Sequence, residues 1–294
     1  MGFWNLLFGG DNKTSEQQQA EKVSKKFDLF KYDGVKAMKM GELDYAVKCF
    51  TEALNIKEEP ETLDYLAQTY MRRGQLEESL AQLDKLTAIV PDNVGVWLQK
   101  ARIAYMLEHY ETMSTHCSKV IEIDASNAVA HMMQGQAKQA IGDNLSAIVM
   151  YTKAISLNEQ LGDAYLLRGR LLLAMGDVAS ADKDVSYLLD VIPDNEDVLM
   201  LKARIEFAKG NKNEAINIYS NVIELNPFNA DAYKERGRVK FEMGDTRGAT
   251  SDVEKLLELM PDALSDISGD YSAEGIEHKV KQAYSMMNPY GIWK

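Results

Sequence analysis

Apolar residues recur along most of the chain at i, i+3, i+4 and i+7, as at Ala147, Met150, Tyr151 and Ala154, the spacing that gives an α-helix one buried face. These helical segments are punctuated at a fixed interval. Gly142, Gly176, Gly210 and Gly244 stand 34 residues apart, and Gly135, Gly169, Ala203 and Gly237 keep the same interval seven residues earlier. An alanine follows each late glycine by five residues (Ala147, Ala181, Ala215, Ala249), and Pro193, Pro227 and Pro261 close three of the units. The late glycine ends a first helix because it accepts a left-handed backbone without a Cβ penalty. The earlier small residue lets two helix axes approach to about 8–10 Å. The alanine repeats that logic on the second helix, and the proline cannot continue it. The pattern predicts an all-α chain of stacked helix pairs.

The frame extends back through Pro91, Gly74 and Gly41, with units beginning near Phe27, Pro60, Val94, Ala128, Gly162, Glu196 and Ala230. A bulky residue takes the fourth position of each: Phe30, Leu63, Trp97, His131, Tyr165, Leu199 and Tyr233. Together with the small eighth residue, the glycine, the alanine and the proline, this resembles the tetratricopeptide repeat over residues 27–263, about four fifths of the chain. The resemblance implies a right-handed α-solenoid of about seven helix pairs. It also implies a non-catalytic scaffold or adaptor that holds a peptide or protein segment in a concave groove. Glu108 and Met113 replace the glycine and alanine of the third unit, and His131 the larger aromatic of the fourth, so looser helix crossing is expected there.

By the same resemblance, the second, fifth, ninth and twelfth positions of each first helix face the groove. The fifth, ninth and twelfth share one face of any helix. Across the last five units the fifth reads Leu98, Met132, Leu166, Met200 and Lys234, and the twelfth Tyr105, Gln139, Leu173, Phe207 and Phe241. Between these rows run Arg102, Gln136, Arg170, Arg204 and Arg238. The candidate partner-binding set is therefore Leu98, Arg102, Tyr105, Met132, Gln136, Leu166, Arg170, Met200, Arg204, Phe207, Arg238 and Phe241. A guanidinium fork suits carboxylates, so the row points to an acidic segment or a C-terminal carboxylate. A competing reading pairs Arg170 with Asp197 and Arg204 with Asp231, and sets Arg102 and Arg238 opposite Val129 and Ser265. On sequence both stay open. Arg168 with Asp184, and Arg236 with Asp252, are expected to bridge the two helices of the fifth and seventh units.

Charge narrows the partners. Lys and Arg number 33 against 45 Asp and Glu, a net charge of −12, and no basic run exists to track phosphates, which excludes nucleic acid. Cys49 and Cys117 lack metal-ligand spacing and read as small buried residues of a protein in a reducing, cytoplasmic setting. His109, His116, His131 and His278 form no ligand pair, and there is neither a phosphate-binding glycine loop nor a nucleophile elbow, so no cofactor and no catalytic residue are expected.

No run reaches the roughly 18 apolar residues of a transmembrane helix. Residues 1–10 form an apolar tip with Phe3, Trp4, Leu7 and Phe8 but no basic n-region. That tip supports the alternative function, a peripheral membrane or self-assembling structural protein, with a simple cap for the first unit as its competitor. Residues 11–26 read as a polar linker or a frayed helix start. Beyond Pro261 a Ser-, Asp- and Gly-rich stretch precedes a capping helix from Ser272 with Ile276, Val280 and Tyr284 on its apolar face, and then an aromatic tail. The expected organisation is tip and linker over 1–26, repeats over 27–263, and linker, capping helix and tail over 264–294.

Overall fold

A computed structural model describes residues 14–265 and 273–286; the apolar tip and the aromatic tail lie outside the described residues. Among those described there are fifteen α-helices and no strand. The chain divides into two compact units, residues 1–137 and 138–294.

In the first unit, α1 (Ser15–Met40) pairs with α2 (Leu43–Ile56), α3 (Pro60–Arg72) with α4 (Leu76–Ile89), and α5 (Val94–Met106) with α6 (Tyr110–Ile123). Then α7 (Ala128–Ala140) runs past the boundary. In the second unit α8 (Asn144–Leu157) packs on α9 (Gly162–Ala174), which pairs with α10 (Val178–Val191). There follow α11 (Glu196–Ala208) with α12 (Lys212–Leu225), α13 (Ala230–Glu242) with α14 (Thr246–Leu259), and a last helix, α15 (Ala273–Met286). From Pro60 onward the first helices begin where the sequence frame sets them. The exception is α1, which starts at Ser15 rather than near Phe27. Thr14 and Gln17 form a reciprocal capping box there, and a polar segment with a satisfied N-terminus stays helical.

Small residues set the spacing as anticipated. A Cβ added at Gly169 would lie 3.3 Å from Leu201 Cδ2, and one at Gly34 would lie 2.7 Å from the ring of the fully buried Phe50. The third unit keeps the same turn. Glu108 itself takes the left-handed backbone, φ 59°, beside 84° at Gly142. The two turns bond alike, His109 N donating to Ala104 O at 2.8 Å and Asp143 N to Lys138 O at 2.9 Å. Met113 is fully buried where an alanine was usual.

From the third unit on, the seventh position of the first helix ties neighbours together. Arg168 donates to both oxygens of Asp184 at 2.9 and 2.6 Å within its own unit, and to Thr152 of the preceding one at 2.9 Å. Arg236 repeats this with Asp252 at 3.0 and 2.6 Å and Ser220 at 2.9 Å. Lys100 reaches back to Asp84 at 2.7 Å, Gln134 to Ser114 at 2.9 Å, and Lys202 to Asp182 at 2.7 Å. At the C-terminal end, α15 buries Val280, Ala283 and Tyr284 against Ala249, Val253 and Leu264. The Tyr284 hydroxyl donates to Lys234 O at 2.9 Å.

Candidate functional site

The candidate residues fall into two sets, one per unit. In the first unit α5 carries Leu98, Arg102 and Tyr105 on one face. Leu98 is half-buried against the cluster of Ala101, Met113, Cys117 and Met133. Tyr105 is 46% exposed and meets Tyr110 edge to face, ring centroids 6.1 Å apart. Arg102 is exposed and makes no ion pair or hydrogen bond among the described residues. Met132 and Gln136, on α7, are half-buried.

The arginines of the second unit are engaged. Arg170 bonds Asp197, as the competing reading required. Arg204 does not take Asp231: its Nε donates to Glu235 Oε1 at 2.9 Å. Glu235 is better placed because the Tyr219 hydroxyl also donates to it at 2.9 Å, holding the carboxylate half-buried between helices. Burial by itself lowers the Arg204 pKa, yet the Glu235 charge and hydrogen bonds outweigh it and leave the guanidinium raised. Arg238, expected to keep its fork open, is only 4% exposed. It lies 4.8 Å over the Phe207 ring, with Nε 3.4 Å from Glu242 Oε1.

The apolar members of this set are largely committed to packing. Met200 is buried, Leu166 and Phe207 pack on the adjoining core clusters, and Phe241 lies 5.8 Å from the Tyr284 ring. Arg170, Met200 and Arg204 do come together, lining a polar depression of about 470 Å³ with Glu196, Asp197, Asn229 and Asp231. It holds three carboxylates against two guanidiniums already paired, so it repels rather than attracts an acidic segment.

Sequence reasoning missed Glu235, Glu242 and the ion cluster around Glu206. Glu206 accepts from Lys202, Lys209 and Asn211. Burial pushes its pKa up, but those three bonds prevail and hold it down at about 2. A carboxylate four residues after Lys202 was the available signal. Both cysteines are free and buried, and burial pushes the Cys117 thiol up to about 12, which removes it as a nucleophile. His131 is buried with Nε2 3.1 Å from Ala125 O. His116 tilts against Trp97 at 5.6 Å, and burial, then the nearby Lys100 charge, lowers it to about 4. No described helix is long and apolar enough to cross a membrane.

Comparison with known proteins agrees with this architecture. Profiles described as tetratricopeptide repeat match residues 60–103 and 128–161, and one described as TPR repeat matches 203–244. No curated protein matches the sequence. Among solved structures, a tetratricopeptide repeat protein from Parabacteroides merdae is similar at TM-score 0.68 and 17% identity, over 87% of this chain and 98% of that one. YrrB, described as a TPR protein with an unusual peptide-binding site, gives 0.52 and 17%, over 68% and 97%. PilF of Pseudomonas aeruginosa gives 0.57 and 15%, over 70% and 94%.

Proposed function

From the premise that the chain carries tetratricopeptide repeats and is a protein-interaction scaffold of that kind, we infer that it binds an acidic peptide segment, or a C-terminal carboxylate, along α5 in the groove of its first unit. The observation that carries this is Arg102. It is an exposed guanidinium without an ion pair among the described residues, flanked at i−4 by Leu98 and at i+3 by the exposed ring of Tyr105. A free fork beside an aromatic anchor has the composition of a binding hot spot. The paired arginines of the second unit act as structure. Binding rather than catalysis is the reading, in a cytoplasmic setting that suits two free cysteines.

The test is fluorescence anisotropy with peptides that place Asp or Glu beside one bulky apolar residue, each with a free or an amidated C-terminus, at two salt concentrations. Tyr105→Ala should cost about 2 kcal/mol of binding if the ring is a central anchor. Arg102→Ala should weaken binding and flatten its salt dependence, whereas Arg170→Ala should leave both unchanged. Equal binding by all three variants and the parent would remove the α5 groove as the site.

A further inference from the structure

We propose that the outer face of α8 is a self-association surface, on which a second copy of this chain docks its own α8. This is separate from the peptide groove on α5.

The observation is a departure in register. Leu145 and Val149 are 71% and 59% exposed on α8, and Ile141, just before the helix, is 41% exposed. At the position of Leu145 the other six units place Asp, Glu, Ala, Asn or Arg, and at that of Val149 they place Lys, Ala, Thr, Asn or Ser. Single exposed apolar residues are ordinary, but two of them one turn apart on one helix, at positions kept polar or small elsewhere, form a patch that needs a cover.

Charge identifies what covers it. The chain carries −12 net, so two copies repel over most of their surfaces. Each of the other second helices, α2, α4, α6, α10, α12 and α14, contains carboxylates, whereas α8 contains none and has one charged residue, Lys153. It is therefore the second helix at which like-charged copies approach with least repulsion. A two-fold contact also requires a patch complementary to itself. In an antiparallel pairing centred between Ile148 and Val149, those two residues meet across the axis. Leu145 faces the exposed Thr152, and each Lys153 comes beside the Asp143 that caps α8 of the other copy. Apolar residues then fill the centre, with one opposite-charge pair at each end. The patch is narrower than the roughly 800 Å² per partner of a standard interface, so the dimer is weak and reversible.

The experiment is sedimentation equilibrium of the full chain over a concentration series at about 50 mM and about 0.5 M salt, where the screening length falls several-fold. The parent should dimerise, and more tightly at high salt, because screening removes the −12 repulsion while apolar contact persists. Leu145→Glu with Val149→Glu should weaken the dimer at least tenfold. Both sites are exposed, so the helical circular dichroism should not change. Leu145→Ser, which adds no charge, should weaken it less. A parent that stays monomeric at both salts overturns the proposal, as does a dimer that the double variant retains or one that salt dissociates. Peptide binding at α5 is read on the same variants, so either inference can fail alone.

Discussion

Replacing Glu108 by glycine should stabilise the protein. Glu108 holds the left-handed turn between α5 and α6 at φ 59°, where six other turns of this kind use glycine. A left-handed backbone costs an L-residue roughly 1–2 kcal/mol, and glycine returns part of that through its greater freedom when unfolded, roughly 0.5–1 kcal/mol. The side chain offers little in compensation: it is exposed, and its carboxylate makes no ion pair or hydrogen bond among the described residues. The net gain should be about 1 kcal/mol. Glu108→Ala keeps the strained backbone and removes the same carboxylate, so it should stay near the parent. Gly142→Ala supplies the mirror case. A Cβ there meets nothing within 4 Å, so backbone alone should make it lose about 1 kcal/mol. Urea unfolding followed by circular dichroism reads all three, with a raised midpoint and an unchanged slope for Glu108→Gly. If that variant is no more stable than Glu108→Ala, the turn is not strained and the reasoning fails.

Gly34→Ala should destabilise by about 1–3 kcal/mol, because its Cβ would lie 2.7 Å from the buried Phe50 ring, and a lower urea midpoint would register it. Acid should act partly through His116. Its folded pKa of about 4 lies below the 6.5 of a free imidazole, so between those values the unfolded chain binds the extra proton and stability falls as pH drops. The ceiling is about 3 kcal/mol, reduced by partial exposure. Stability curves of the parent and His116→Leu should diverge across pH 6.5 to 4, and parallel curves would dismiss the effect.

What the sequence discloses here is chiefly backbone. A glycine at fixed spacing demands a left-handed turn and a small residue demands a close crossing, and both requirements are local enough to survive without coordinates. Arg168 with Asp184 was legible for the same reason: each residue sits on a regular helix of one unit, and both recur together two units later. Arg204 was not, because Asp231 and Glu235 occupy neighbouring turns of α13, and the choice between them depends on the Tyr219 hydroxyl arriving from α12. Arg238 failed likewise, since its burial is decided by the Phe207 ring of the preceding unit. Glu108 shows the limit from the other side. A missing glycine suggested a loosened crossing, whereas the backbone kept its turn and the residue bore the strain.

The side chains at the seventh position give the array a property that no single unit has. Arg168 and Arg236 each hold a carboxylate at home and a hydroxyl next door, so releasing one neighbour also disturbs the pairing of a buried charge in the unit that remains. In the language of coupled spins, the term linking adjacent sites is enlarged relative to the field on each site. A chain so coupled melts in long blocks rather than link by link, and a defect at one unit lowers the threshold of the next.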